Sequence, residues 1–220
     1  MRKTFTRRDS LKLMGSAVVG SQLVGGAQPL AAHVHGAPAG ERVGARAVGR
    51  SETRVDEDLR GIFVILSTPY TETGAVHYED LAFQVEWLDR AGAHGLVWPQ
   101  NSSDYPRLTT AEIKRGMEVL TRANRGRSLT LVLGVQQDST PEMVELATFA
   151  EGLEPDMMIA MPPKVGDSLE DYREYYHALA RVTARPIMIQ TSPNRPGIEF
   201  KTDFIKELAD AYPNLGYVKE

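Results

Sequence analysis

The chain has 220 residues, 42% apolar and 25% charged, with a net charge of −4 and no cysteine. That mix is ordinary for a globular domain, and the missing thiols exclude disulfides, thiolate metal sites and cysteine nucleophiles. The charge is uneven: residues 1–37 hold five basic side chains (Arg2, Lys3, Arg7, Arg8 and Lys12) and one acid, Asp9. The remainder carries 20 basic and 28 acidic residues, a balance of −8 that speaks against nucleic acid as a partner.

Thr6-Arg7-Arg8-Asp9-Ser10-Leu11-Lys12 precedes a mildly apolar stretch from Leu13 to Leu30, rich in Gly, Ala and Ser. The pattern resembles a twin-arginine export signal, with Ser10 where such signals usually carry a bulky apolar residue. A membrane-spanning helix needs about 20 strongly apolar residues, so no stable membrane anchor is expected here. Residues 1–37 are read as the signal, with cleavage near Ala32 to Ala37 and a periplasmic or secreted destination. Residues 38–57, rich in Ala, Gly and Arg, read as a linker. Residues 58–220 read as the folded domain.

From Leu59 onward, apolar runs alternate with helix-period segments. Gly61 to Leu66 is a continuous apolar run, the pattern of a strand buried on both faces. Thr68 to Gly74 is a loop. Tyr78 to Ala91 carries Leu81, Val85 and Leu88 on one helical face, and Gly92 is its stop signal. Gly95 to Trp98 is a second strand, closed by Pro99, and Gln100 to Arg107 is a polar loop. Thr109 and Glu112 form a capping box for a helix reaching about Asn124. Leu129 to Leu133 is the third strand, ending at Gly134. Ser139 or Thr140 caps the next helix, with Pro141 in its first turn. Met157 to Ala160 is the fourth strand, and Leu169 to Val182 a helix whose Tyr172, Tyr175 and Tyr176 read as packing residues. Pro186 to Ile189 is the fifth strand, Thr202 to Ala211 a helix, and Leu215 to Val218 the sixth strand, followed by Lys219.

Strict alternation of this kind means parallel strands joined by right-handed crossovers. A doubly wound open sheet and a (β/α)8 barrel both fit. No Gly-x-Gly-x-x-Gly follows the first strand and no P-loop is present, which weakens the nucleotide-binding version. In a barrel, functional groups sit on the loops that follow the strands. Those loops begin here at Ser67, Pro99, Gly134, Met161, Gln190 and Lys219. The five histidines form no cluster in sequence that suggests a metal, and no metal is expected.

Several segments, in order, resemble the dihydrodipicolinate synthase / N-acetylneuraminate lyase family: Gly61…Thr68-Pro69-Tyr70…Gly74, Ala91 to Val97, Tyr105-Pro106-Arg107-Leu108-Thr109, Gly134-Val135, Ser192 to Gly197, and Gly216-Tyr217-Val218-Lys219-Glu220. The resemblance implies a (β/α)8 TIM barrel, α/β in class, and a lyase of the class I aldolase type. It further implies that Lys219, at the end of the sixth strand, forms a Schiff base with pyruvate or another 2-keto acid, and that C–C bond formation or cleavage follows. The chemistry is sound on its own terms. Burial in a barrel mouth disfavours an ammonium, and a neutral amine attacks ketones. No cofactor is then needed, because the iminium is the electron sink.

The resemblance also carries the other site residues. Gln100-Asn101-Ser102-Ser103-Asp104 stands where the family has Gly-Thr-Thr-Gly-Glu, so Asn101, Ser102 and Ser103 are expected to hold the keto-acid carboxylate. Gln190 stands where the family has a proton-relaying tyrosine, and an amide cannot be a general acid or base near neutral pH. It is expected beside Lys219 as the second catalytic-position residue, orienting a carbonyl or a water. Arg195 is expected to line the site. Pro162-Pro163-Lys164 replaces the family's tyrosine after the fourth strand, and Lys164 reads as a surface charge before a substrate contact. A small 2-keto acid is the expected partner, with a homo-oligomer as the expected assembly. A full barrel has two strands more than the six read here, so the domain is expected to be a barrel truncated after strand six. A fragment, a barrel completed by a partner chain and an open sheet all remain open. A non-catalytic periplasmic keto-acid or sugar-acid binder, or a truncated pseudoenzyme, is the alternative to the lyase.

Overall fold

The computed structural model describes residues 59–166, 168–191 and 201–219. The export signal, the linker and Arg195 lie outside the described residues. Within them, six strands alternate with five α-helices: β1 (Phe63–Ile65), α1 (Tyr78–Ala91), β2 (Gly95–Trp98), α2 (Thr110–Asn124), β3 (Thr130–Gly134), α3 (Thr140–Glu151), β4 (Met157–Ala160), α4 (Leu169–Val182), β5 (Ile187–Gln190), α5 (Thr202–Ala211) and β6 (Tyr217–Lys219). All pairings are parallel, and the sheet order is β1-β2-β3-β4-β5-β6. Sequential order with right-handed crossovers puts every helix on one face of the sheet. A doubly wound sheet would reverse its order at a switch point. The architecture is therefore a partial (β/α) barrel.

Local chemistry sets the helix limits. His77 Nδ1 accepts the Asp80 backbone N–H (3.2 Å) at the start of α1, and Gly92 ends it in the left-handed region at φ 77°. Thr109 and Glu112 close a reciprocal capping box on α2 (3.2 and 2.8 Å), and Ser168 and Asp171 repeat it on α4 (3.2 and 2.9 Å). Pro141 occupies the first turn of α3, where no intrahelical donor is required of it.

The sheet is apolar on both faces, and the two faces are distinct. Leu96, Trp98, Leu131, Leu133, Met158, Ala160, Ile187 and Ile189 pack with the helices in the main core. Val97, Val132, Met157 and Ile159 form a second cluster on the opposite face, with Phe63, Ile65, Met188 and Tyr217 half-buried against it. Successive side chains in a strand point to opposite faces, so this second cluster is the barrel interior. Tyr172, Tyr175 and Tyr176 are buried, as their helical spacing implied. The Tyr176 hydroxyl donates to the Ala160 carbonyl (3.1 Å), and burial pushes both Tyr175 and Tyr176 above the ordinary phenol range.

Four strand limits differ from the sequence reading. β1 is shorter than the apolar run Gly61 to Leu66, pairing only over Phe63–Ile65. β3, β5 and β6 each begin later and end one residue later, so that Gly134, Gln190 and Lys219 are themselves paired. A hydropathy run stops at the first polar residue, whereas a ladder continues until its hydrogen bonds do. The Gln100 to Arg107 loop contains two short 3-10 turns, Asn101–Ser103 and Tyr105–Arg107.

α2 carries one glycine with a packing purpose. A Cβ on Gly116 would lie 2.2 Å from Trp98 Cη2. Gly→Ala inside a helix ordinarily stabilises by roughly 0.5–1 kcal/mol. Gly116→Ala is expected to do the opposite and cost about 1–3 kcal/mol through overpacking against the indole, read as a lower urea midpoint with an unchanged slope.

Candidate functional site

The described loops that leave the C-terminal ends of the strands lie at one end of the sheet, and among them the loop after β2 is held by a dense set of hydrogen bonds. Trp98 ends β2 with a buried indole whose Nε1–H donates to Thr68 Oγ1 (3.0 Å). Thr68 Oγ1 in turn donates to the Ser103 carbonyl. Ser103 Oγ donates to the Leu66 carbonyl (2.6 Å) and accepts from the Gln100 N–H (3.0 Å). These bonds pin the Asn101–Ser103 turn to the end of β1. Asp104 then takes the left-handed conformation at φ 59° and is held by the Tyr70 hydroxyl (3.2 Å) and Arg107 Nε (3.3 Å).

A second set of amides joins this loop to the end of β3. Gln136 Nε2 donates to the Pro99 carbonyl (2.8 Å), and Gln100 Nε2 donates to Gln136 Oε1 (3.0 Å). The approach is possible because position 134 has no side chain. A Cβ on Gly134 would lie 2.0 Å from the Pro99 carbonyl oxygen. Gln100 Oε1 is buried without a hydrogen-bond partner among the described residues.

Lys219 and Gln190 meet at the far side of the arc. They are register partners in the β5–β6 ladder. Met188 and Tyr217 face the interior cluster, so Gln190 and Lys219, two residues further along each strand, face it too. The Lys219 carbonyl accepts the Thr191 N–H (2.9 Å), which fixes the strand end, and the Lys219 side chain is half-buried. Gln190 is 5% exposed, and its Oε1 has no hydrogen-bond partner among the described residues.

Asn101 and Ser102 are exposed on the β2 turn, at the same end of the sheet as Lys219. Ser103 is buried, and its proton is already given to Leu66. Lys164, on the loop after β4, pairs with Asp138 on the loop after β3 (2.7 Å) and stands 5.8 Å from the Tyr105 ring centroid. Burial pushes the Tyr105 phenol up, partly countered by the Lys164 charge. The hydrogen bond to Asp138 holds the Lys164 ammonium above the usual lysine range. Thr68, Gln136, Asp138 and Tyr105 were not singled out from the sequence as site residues. For Gln136 a signal existed, since it lies two residues beyond Gly134 at the end of a strand. Among the described residues, two histidines support the backbone locally: His77 Nδ1 caps α1, and His94 Nδ1 accepts the Ile62 N–H (3.1 Å). Among the described residues, no group of three or more His, Asp or Glu is placed to hold a metal ion.

The arrangement brings a primary amine and an amide oxygen that has no partner among the described residues together at the end of the sheet that also carries a turn with exposed hydroxyl and amide groups. Its internal roles predict a contrast between two neighbouring serines. Ser103→Ala strands the Gln100 donor and the Leu66 acceptor and is expected to cost about 1–3 kcal/mol. Ser102→Ala is expected to stay within about 0.5 kcal/mol of the parent. Urea unfolding of the two variants checks this.

Comparison with known proteins agrees with this architecture. Residues 58–220 match the profile of the Dihydrodipicolinate synthetase family. The 4-hydroxy-tetrahydrodipicolinate synthase of Rhizobium meliloti (strain 1021) is 28% identical over 163 residues, 74% of this chain and 55% of that protein. The enzyme of the same name from Parabacteroides distasonis is 32% identical over 168 residues, 75% of this chain and 56% of its own. The crystal structure of dihydrodipicolinate synthase from Agrobacterium tumefaciens str. C58 superposes with a TM-score of 0.67 at 27% identity, over 74% of this chain and 54% of that one. The chain thus spans little more than half the length of these relatives. With the profile covering the whole β/α region and the relatives agreeing in sequence and fold, the chain belongs to the dihydrodipicolinate synthetase family.

Proposed function

We propose that the chain carries the imine-forming machinery of a class I aldolase-type lyase, with Lys219 as nucleophile and pyruvate or another 2-keto acid as substrate. The observation that carries this reading is the placement of Lys219: on the interior face, at the C-terminal end of β6, in register with Gln190. The neutral amine adds to the C2 carbonyl and forms a C–N bond, and the carbonyl oxygen leaves as water. The resulting iminium accepts the electron pair released when a C3–H or C3–C4 bond breaks. Run in reverse, the enamine attacks an aldehyde and makes the C–C bond. Asn101 and Ser102 offer side-chain donors to the keto-acid carboxylate, and Ser103 holds the turn that presents them. Gln190 Oε1 accepts a hydrogen bond from the carbinolamine hydroxyl or from a water. The family resemblance also assigns Arg195, which lies outside the described residues, to the substrate.

The alternative is a non-catalytic keto-acid or sugar-acid binder. The amide at position 190 favours it, because an amide neither gives nor takes a proton in the pH range where a tyrosine relay works. Sodium borohydride with pyruvate separates the two readings. A reduced pyruvate adduct that maps to Lys219 and disappears in Lys219→Ala is the expected result. Pyruvate binding that survives in Lys219→Ala, with no adduct in the parent, means the binder. Delivery by the leader belongs to the same proposal: Arg7→Lys with Arg8→Lys is expected to leave the full chain in the cytoplasmic fraction, whereas the parent appears in the periplasmic one.

A further inference from the structure

The loops after β3 and β4 carry charged chemistry that the proposed reaction does not use. Lys164 Nζ lies 2.7 Å from Asp138 Oδ1, and the two loops are also joined by the Val165 N–H donating to the Asp138 carbonyl (2.9 Å). Pro162 and Pro163 restrict the backbone leading into Lys164. The Tyr105 ring, 8% exposed, flanks the ammonium at 5.8 Å. The ammonium is therefore held in place by two loops and an aromatic face instead of trailing in solvent. It is also open, since the Lys164 and Asp138 side chains are 47% and 55% exposed.

We propose that this pair is a substrate subsite: Asp138 holds Lys164 at the rim until a second carboxylate on the 2-keto acid takes its place, which makes the preferred substrate a dicarboxylic 2-keto acid. The inference rests on Lys219 being the imine lysine and names the substrate class for that site. Position supports it. Lys164 follows β4 and Lys219 ends β6, with only β5 between. Neighbouring strands lie about 4.8 Å apart, so β4 and β6 stand roughly 10 Å apart. A keto diacid joined to Lys219 through its C2 carbon would reach across that gap to Lys164 with its second carboxylate. Energetics supports it as well. A half-exposed ion pair contributes little to stability, so exchanging one carboxylate for another costs the fold little. The incoming carboxylate keeps the ammonium paired, and the released Asp138 returns to water.

A purely structural ion pair would respond in the same way to loss of either partner. A substrate subsite responds with opposite signs, because Lys164→Met removes the receptor and Asp138→Asn removes its competitor. Two measurements on the full chain read this. The first is the concentration of 2-oxoadipate, against pyruvate, that half-saturates borohydride trapping at Lys219. The parent is expected to favour 2-oxoadipate by about tenfold, the worth of one charge-assisted hydrogen bond. Lys164→Met is expected to erase that preference without changing pyruvate trapping, and Asp138→Asn to widen it. The second is equilibrium binding of glutarate, which has no carbonyl and forms no imine, followed by NMR titration. Glutarate is expected to bind more weakly to Lys164→Met and more tightly to Asp138→Asn. If neither keto acid is trapped but glutarate shows these opposite shifts, the imine reading falls and the subsite stands. If the two variants shift glutarate affinity in the same direction, or not at all, the subsite is overturned.

Discussion

Side chains along a strand alternate between two faces, and parallel pairing in register carries that alternation from one strand to the next. In this protein the rule fixes nearly everything else. It sends Leu96, Leu131, Met158 and Ile187 to the helices and Val97, Val132 and Ile159 to the interior. Continued to the ends of β5 and β6, it delivers Gln190 and Lys219 to the interior face as partners. A slip of one residue in the last ladder would turn the amine toward the helix layer. The β5–β6 pairing is anchored outside the ladder too: Ile187 N–H donates to the Asn214 carbonyl (2.7 Å), and Asn214 Nδ2 donates to the Thr183 carbonyl at the end of α4 (2.7 Å).

The opposite side of the arc is organised by polar contacts under the β2 turn. Thr68 connects the indole of Trp98 to the backbone of Ser103, and Ser103 closes the circuit to Leu66. Two glycines make the circuit sterically possible, Gly116 beneath the indole and Gly134 beneath the Pro99 carbonyl. Around this rigid frame a few acceptors are left over. Gln100 Oε1 and Gln190 Oε1 are buried without a hydrogen-bond partner among the described residues. Leaving such a group unsatisfied costs about 1–3 kcal/mol, a cost that folds usually avoid and functional sites often carry.

Much of this was legible in the sequence, for reasons that differ by element. Three of the long helices were clear because caps and breakers mark their ends: Gly92 after α1, Thr109 with Glu112 before α2, and Pro141 in α3. α4 was read as Leu169 to Val182 without its cap, and Ser168 emerged as that cap only in the structure. Alternation of strands and helices by itself left a doubly wound sheet and a barrel both open, because strand order is a long-range property that periodicity does not encode; the family resemblance pointed to the barrel. Asn101, Ser102 and Lys219 came from motif resemblance, and the fold puts them at one end of the sheet. Ser103 could not be told from its neighbours in sequence, since a serine that holds a turn and one that greets a ligand are spelled alike. The Gln100–Gln136 and Lys164–Asp138 contacts join residues 36 and 26 positions apart, and no local pattern announces them.

The two tryptophans occupy opposite environments. Trp98 is fully buried, with its Nε1–H bonded to Thr68, whereas Trp87 stands on α1 with more than half of its surface in water. One indole therefore emits at short wavelength from beneath the β2 turn, out of reach of dissolved iodide, and the other emits at long wavelength and is readily quenched. The protein thus carries a built-in optical pair: a reporter of the turn that presents Asn101 and Ser102, and beside it an internal reference that the turn's integrity does not touch.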